Sequence, residues 1–332
     1  MSLRQLINDS EEFVPEALSG LSRAHPGLIR VHQDPAYVIR AVREPKVALV
    51  SGGGSGHEPL HTGFVGHGML DAAVPGAVFA SPTAFQIKAA IEAADHGRGV
   101  LLIVKNYTGD VLNFSIAAEL AADAGIDVRT VLVDDDLATD GQDEGGPGRR
   151  GTAAVVAVEK ICGAAAERGA SLDELVALGE RVASSARTLA LAFQSCTHPG
   201  EDRPSFELPD GQIEFGVGIH GEHGVGRRPY APARELVAEL AEPIVRALDL
   251  TDGDRVIAVV NGLGATHSLE LSLAHKELTE LLDAQGITVA RALVGPYVTA
   301  LDMRGCSITL LRADDELVEL WDAPVRTPAL NW

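Results

Sequence analysis

Continuous apolar runs alternate with amphipathic stretches through the first half of the chain. VALVS (47–51), GVLLIVKN (99–106) and IDVRTVLVDD (126–135) have the length and branched-aliphatic content of buried strands. Between them, SPTAFQIKAAIEAADHG (81–97) reads as a helix with Ser81 as N-cap, Pro82 at its first position and Gly97 as its stop. DVLNFSIAAELAADAG (110–125) reads as another. Strands apolar on both faces and separated by helices predict a largely parallel sheet covered on both sides. The polar stretch DDDLATDGQDEGGPGRRGT (134–152) then breaks the pattern with a loop long enough to suggest function. Two helices follow, the second opened by SLDE (171–174), a capping box of Ser171 and Glu174.

From TLALAFQ (188–194) the pattern changes. Strands are expected at 188–194, 212–219, 255–261, 287–294 and 305–311, with helices at 232–248 and 267–285. The expected fold class is therefore α/β in two domains. Residues 1–186 form an N-terminal α/β sheet with helices on both faces, and residues 187–332 a C-terminal α+β layered domain.

Composition narrows the function. Hydrophobic residues make up 46% of the 332, aromatics only 4%, so the core is built mostly from Ala, Val, Leu and Ile. A formal net charge of -20 repels phosphate backbones and anionic lipid, which sets aside nucleic acid and membrane surfaces as partners. Three scattered cysteines, Cys162, Cys196 and Cys306, suit neither a disulfide framework nor a cysteine zinc site and point to a reducing cytoplasm. The opening MSLRQLINDSEEF lacks the apolar segment of a secretory signal, and no apolar run is long enough to span a bilayer.

The candidate chemistry clusters at glycines. KVALVSGGGSGHEPLHTG (46–63) is a strand entering a glycine loop, followed by His57, Glu58 and His61. No lysine follows to make a Walker loop, and the dinucleotide fingerprint fails because His57 or Pro59 occupies its last glycine position. The G-x-S-x-G elbow around Ser55 fails at His57. HEPLH matches the zinc-protease H-E-x-x-H, but that motif needs a helix, and an interior proline such as Pro59 costs about 3 kcal/mol. Two readings stay open: a loop whose outward backbone N–H groups bind hydroxyl or carbonyl oxygens of a small ligand, and a tight turn whose histidine caps a helix.

VKNYTGD (104–110) brings Lys105 and Asp110 to the same carboxyl edge; Asp110 is a candidate base or hydroxyl ligand, or the N-cap of the next helix. EFGVGIHGEHGVGRR (214–228) presents His220 between Ile219 and Gly221, as base, metal ligand, nucleophile or packed core imidazole. His223 lies three residues on, without a carboxylate or cysteine frame for a metal. Asp134 to Asp136 could ligate magnesium or simply end a strand and cap a loop.

Five segments taken together resemble the K subunit of the dihydroxyacetone kinase family: SGGGSGHEPLHTGFVGHGMLDAAVPGAVFASP, VKNYTGDVLNF, GVGIHGEHG, VNGLGATHSLEL and VGPYVTALDMRGCSITLL, spread over residues 51–311. The resemblance implies that Gly54, Ser55, Gly56 and His57 line a triose, with His57 as proton acceptor. It implies that Lys105 and Asp110 contact the substrate hydroxyls, that Asp110 shares the base role, and that His220 bonds the ketone carbon as a hemiaminal. It also implies a homodimer, no metal or cofactor on this chain, and a separate L-type subunit carrying ATP with magnesium, or a bound ADP. His223 and His267 stand where the family often has proline, which leaves the ketose, dihydroxyacetone or an erythrulose-like sugar, open. A non-catalytic ketose sensor is the competing function.

Overall fold

A computed structural model describes residues 5–141 and 148–332. The part of the polar stretch at 142–147 lies outside the described residues, as do residues 1–4. The chain forms two compact units. The first comprises Gln5–Val133, Val155–Ala183 and Leu320–Trp332; the second holds, of the described residues, Asp134–Ala154 apart from 142–147, and Ser184–Glu319. The division is thus not one cut near residue 186: the chain passes to the second unit after Val133, returns for two helices, and comes back again at Leu320. Asp135 explains the early passage. Its carboxylate accepts from Thr152 N (2.6 Å), Thr152 Oγ1 (2.8 Å), Ala154 N (3.0 Å) and the Thr188 hydroxyl, tying 134–154 to the second unit's sheet.

The first unit opens with helix α1 (Phe13–Ala24) and hairpin strands β1 (Ile29–Gln33) and β2 (Ala36–Arg40). Strands β3 (Ala48–Ser55), β4 (Ala72–Val78), β5 (Val100–Lys105) and β6 (Val128–Val133) follow, with helices α2 (Ala84–Ala94) and α3 (Thr108–Asp123). The sheet order is β1-β2-β4-β3-β5-β6. β3, β4, β5 and β6 pair in parallel, and the antiparallel hairpin, which periodicity did not reveal, extends one edge. Ala48, Val50, Val74, Ile87, Ile91, Leu102, Val104 and Phe114 form the core between this sheet and helices α2 and α3. Helix α2 starts later than expected. Thr83, not Ser81, is its N-cap, in a capping box with Gln86, which releases the Ser81 hydroxyl for another role. Helices α4 (Ala154–Glu167) and α5 (Leu172–Ser184) come next, and the expected Ser171–Glu174 box is formed.

The second unit has strands β7 (Ala186–Gln194), β8 (Gln212–Phe215), β9 (Gly226–Pro229), β10 (Arg255–Gly262), β11 (Thr288–Gly295) and β12 (Arg304–Arg312). Their order is β11-β10-β12-β7-β8-β9, with only β10 and β11 parallel. Helices α6 (Ala233–Ala247) and α7 (Ser268–Asp283) bury Leu236, Leu240, Ile244, Leu271, Leu278 and Leu282 against this mixed sheet. Helix α8 (Asp315–Asp322) carries the chain back.

Candidate functional site

Strand β3 runs straight through the glycines. Gly52 pairs with Val74 and Gly53 with Pro75, but Ser55 pairs with Val78, so the register slips at Gly54. A Cβ on Gly52 would lie 2.4 Å from the Val74 carbonyl, and one on Gly54 would lie 2.7 Å from Ala80 N. These two glycines are required by backbone packing. Gly53 differs: its missing Cβ would meet side-chain ends, Lys105 Nζ at 2.5 Å, Asp110 Oδ2 at 3.4 Å and His61 Nε2 at 3.7 Å. Of Gly52, Gly53 and Gly54, it is the one whose missing Cβ opens onto charged and imidazole side chains.

The loop's polar groups are partly committed. The Ser55 hydroxyl donates to Gly76 O (2.7 Å), and Gly56 N–H donates to Glu58 Oε2 (2.9 Å), so this N–H turns to the loop's own carboxylate rather than outward. Burial holds Glu58 above the usual carboxylate range. His57 is buried and stacks on Phe79, ring centroids 5.1 Å apart. HEPLH is not helical: His57 sits in the loop and His61 precedes a single 3-10 turn, Thr62–Phe64. Among the described residues no group of three or more His, Cys, Asp or Glu side chains is placed to hold a metal ion.

Lys105 ends β5, and Asp110 lies in the first turn of α3, which begins at Thr108 with Tyr107 as N-cap. Asp110 is therefore inside the helix rather than its cap. Its carboxylate accepts from the Ser81 hydroxyl and lies 3.6 Å from Lys105 Nζ. The ammonium also reaches His61 Nε2 at 3.0 Å and Gly52 O at 3.5 Å. On its other side, His61 Nδ1 is 2.6 Å from Glu159 Oε1 and 3.1 Å from Ser51 Oγ. Burial, then the charges of Lys105 and His57, hold His61 well below the ordinary imidazole value, so it is neutral. Burial pushes Glu159 up to about 8, against the nearby Ser51 hydroxyl and the Lys105 charge.

Sequence reasoning missed Ser51, Ser81, His61 and Glu159 as members of this cluster. The signal for Glu159 is visible in retrospect: AVVAVEKICGAAAE is apolar on every face except for an adjacent Glu–Lys pair in mid-helix and the Glu167 that ends it. Both members are fully buried.

In the second unit His220 follows a strand shorter than expected, because β8 stops at Phe215 and Gly216 takes a φ of 72°. The turn is clamped by Glu222. One of its oxygens accepts the His220 backbone N–H (2.8 Å), and the other accepts from Arg150 Nη1 (2.8 Å). Arg150 in turn holds Asp136 Oδ2 (2.7 Å). A Cβ on Gly218 would fall 1.7 Å from Glu222 Oε1, so any side chain there displaces this clamp. His223 is exposed, stacks on Phe206 and lies 3.4 Å from Glu214. His267 is the N-cap of α7, its Nδ1 accepting from Leu269 N in a capping box with Glu270. Asp134, Asp135 and Asp136 each bind protein partners: Arg149, the Thr152–Thr188 groups and Arg150.

Two six-stranded sheets, one parallel at its centre with a glycine strand over a buried polar cluster and one mixed, make this a two-unit α/β protein with a polar small-molecule site. The model described as the Dak1 domain matches residues 19–329, and the chain belongs to that family. It is 48% identical over 356 residues to the PEP-dependent dihydroxyacetone kinase, dihydroxyacetone-binding subunit DhaK, of Escherichia coli, with 99% of each chain covered. Two solved structures align with a TM-score of 0.89. One is the dihydroxyacetone kinase of C. freundii, 35% identical over 99% of this chain and 60% of that one. The other is a dihydroxyacetone kinase operon co-activator, DhaQ, 32% identical over 97% and 98%.

Proposed function

We propose that this chain is the ketose-binding subunit of a dihydroxyacetone-type kinase. One observation carries the geometric case: Lys105 and Asp110, buried and 3.6 Å apart, converge on the Cβ-less face of Gly53. A cation and a carboxylate opening on such a notch suit a small polyhydroxy molecule. The end-to-end match to a dihydroxyacetone-binding subunit names the class of that molecule.

In this reading His220 Nε2 adds to the ketone carbon. A C–N bond forms, the carbonyl π pair becomes a hydroxyl, and the proton leaving Nδ1 completes it; nothing is expelled. The bond matters because a six-heavy-atom polar ligand gains at best about 1.5 kcal/mol per heavy atom from noncovalent contact, and a well-hydrated one gains far less. It also excludes glycerol, which has no electrophilic carbon. Gly54, Ser55 and Gly56 line the triose, and Lys105 contacts its hydroxyls. His57 and Asp110 accept the terminal hydroxyl proton as phosphorus arrives. The nucleotide, ATP with magnesium or ADP, belongs to a separate L-type subunit. In keeping with this, the relatives it matches end to end are named as dihydroxyacetone-binding subunits. In this reading the protein works as a cytoplasmic homodimer.

The match to an operon co-activator favours a second reading, a ketose sensor without turnover. Intact-mass measurement after incubation with dihydroxyacetone tests the covalent step: a labile adduct of one triose is expected, absent in His220→Ala. Persistence of the adduct in that variant refutes the role of His220. Adduct formation without phosphorylation, across several L-type partners and ketoses, favours the sensor.

A further inference from the structure

Asp110, Lys105, His61 and Glu159 stand in an unbroken row beneath Gly53. The successive separations are 3.6, 3.0 and 2.6 Å, and the exposures are 3%, 1%, 4% and 0%. They come from α3, β5, the segment after the glycine loop, and α4. Packing does not explain the row. Well-packed apolar side chains of similar volume are often as stable as a buried ionic set, or more stable. Glu159 Oε2, moreover, is buried with no hydrogen-bond partner, a loss of about 1–3 kcal/mol.

Donor accounting gives the row a direction. An ammonium has donors only, so His61 Nε2, which faces Lys105, carries the lone pair. The neutral ring then bears its proton on Nδ1. Ser51 Oγ, 3.1 Å away, already donates to Ile103 O (2.7 Å), so it offers Nδ1 an acceptor. Glu159 Oε1 is the nearer acceptor. It accepts whether the carboxyl is ionised or carries a proton on Oε2.

We propose that Glu159 and His61 are positioning residues for Lys105. Glu159 locks His61 in its Nδ1–H tautomer, and the Nε2 lone pair aims the ammonium at the notch beside Gly53 instead of letting it close onto Asp110. This rests on the ketose-kinase reading, because it assigns the row's purpose to holding a substrate hydroxyl. Lys105 then meets the hydroxyl as a charge of fixed location, and its correct placement appears in kcat rather than KM.

Two measurements test it. The first uses the chain alone, labelled with 15N-histidine, the His61 signal being assigned by its loss in His61→Gln. The wild type shows the Nδ1–H tautomer, Glu159→Gln keeps it through the amide oxygen, and Glu159→Leu loses it. The second is turnover with an L-type partner and nucleotide. Glu159→Leu lowers kcat about 10-fold or more at nearly constant KM, as expected of a misaimed group. Glu159→Gln stays within about 3-fold of wild type. His61→Gln, whose amide accepts from Lys105 and donates to Glu159, also stays near wild type while His61→Leu does not. That pair keeps the test open where Glu159→Leu fails to fold. An Nε2–H tautomer in the wild type overturns the proposal. So does a folded Glu159→Leu with wild-type kcat, or a His61→Gln as impaired as His61→Leu. Absence of turnover by the wild type would strike the kinase reading, and the tautomer would still decide this one.

Discussion

Glu159 and Lys160 are neighbours in α4, both without exposure, and they do opposite things. Lys160 donates to the Leu320 carbonyl at 2.8 Å and lies 5.7 Å from the Trp332 ring; burial lowers its ammonium to about 8. Glu159 supports the row behind the loop. Burial raises it from 4.5 to about 8, so across that range the folded chain holds a proton the unfolded chain has released. Unfolding free energy therefore falls as pH rises through the window. Glutamine does not titrate. The Tm of Glu159→Gln relative to wild type is expected to climb from about pH 5 to pH 8, and parallel Tm curves would contradict the buried acid. His61, held well below 6.5, acts in the reverse sense: it costs stability as pH falls below 6.5. Being present in both proteins, it largely cancels in the difference.

At the scale of the element, β3 separates two uses of glycine. Gly54→Ala drives a Cβ against Ala80 N and the Phe79 backbone, which cannot swing away. A loss of about 1–3 kcal/mol in chemical denaturation is expected, as for other overpacking. Gly53→Ala meets chiefly the Lys105 ammonium, a side-chain end that can be pushed out of its aimed position where backbone cannot move. It should leave the denaturation midpoint nearly unchanged and cut turnover; the reverse ranking of the two variants would contradict this account. Much of this element was legible: the apolar run marked the strand, and Lys105 and Asp110 were read at a strand's carboxyl end. The Thr83 cap was not, because Ser81 and Pro82 offered an equally good helix start two residues earlier. His61 was discounted because Pro59 ruled out a zinc helix, and ruling out the helix said nothing about a row running through β5 and α4. Strands β1 and β2 were missed because IRVHQ and AYVIR are short and half exposed, without a continuous apolar run.

For the whole molecule, the discontinuous units make a concrete prediction. A fragment of residues 1–186 carries Lys160 and the 63–68 segment but not their covers. Leu320 O takes the Lys160 ammonium, Arg326 N donates to His67 O (2.9 Å), and Ala329 N donates to Gly63 O (2.9 Å). Removing the segment forfeits these hydrogen bonds and the burial of Leu320, Trp321, Val325 and Leu330, a loss of several kcal/mol. This fragment should show disperse amide signals only when residues 320–332 are supplied, for example as a fused segment; a well-dispersed spectrum without them would refute the point. Periodicity placed one boundary near Ala186 because helices give way to a strand there, but it carries no signal for a segment that crosses over and returns. The crossing at Asp134 is written in Asp135, whose bonds to Thr152 and Thr188 join positions far apart in sequence.

The return of Leu320–Trp332 also orders events during synthesis. The glycine strand is among the first elements to leave the ribosome, yet the layer behind Gly63 and Lys160 waits for residues translated more than 250 positions after Gly63. The nascent chain therefore leaves this side of the first unit uncovered until translation is nearly complete.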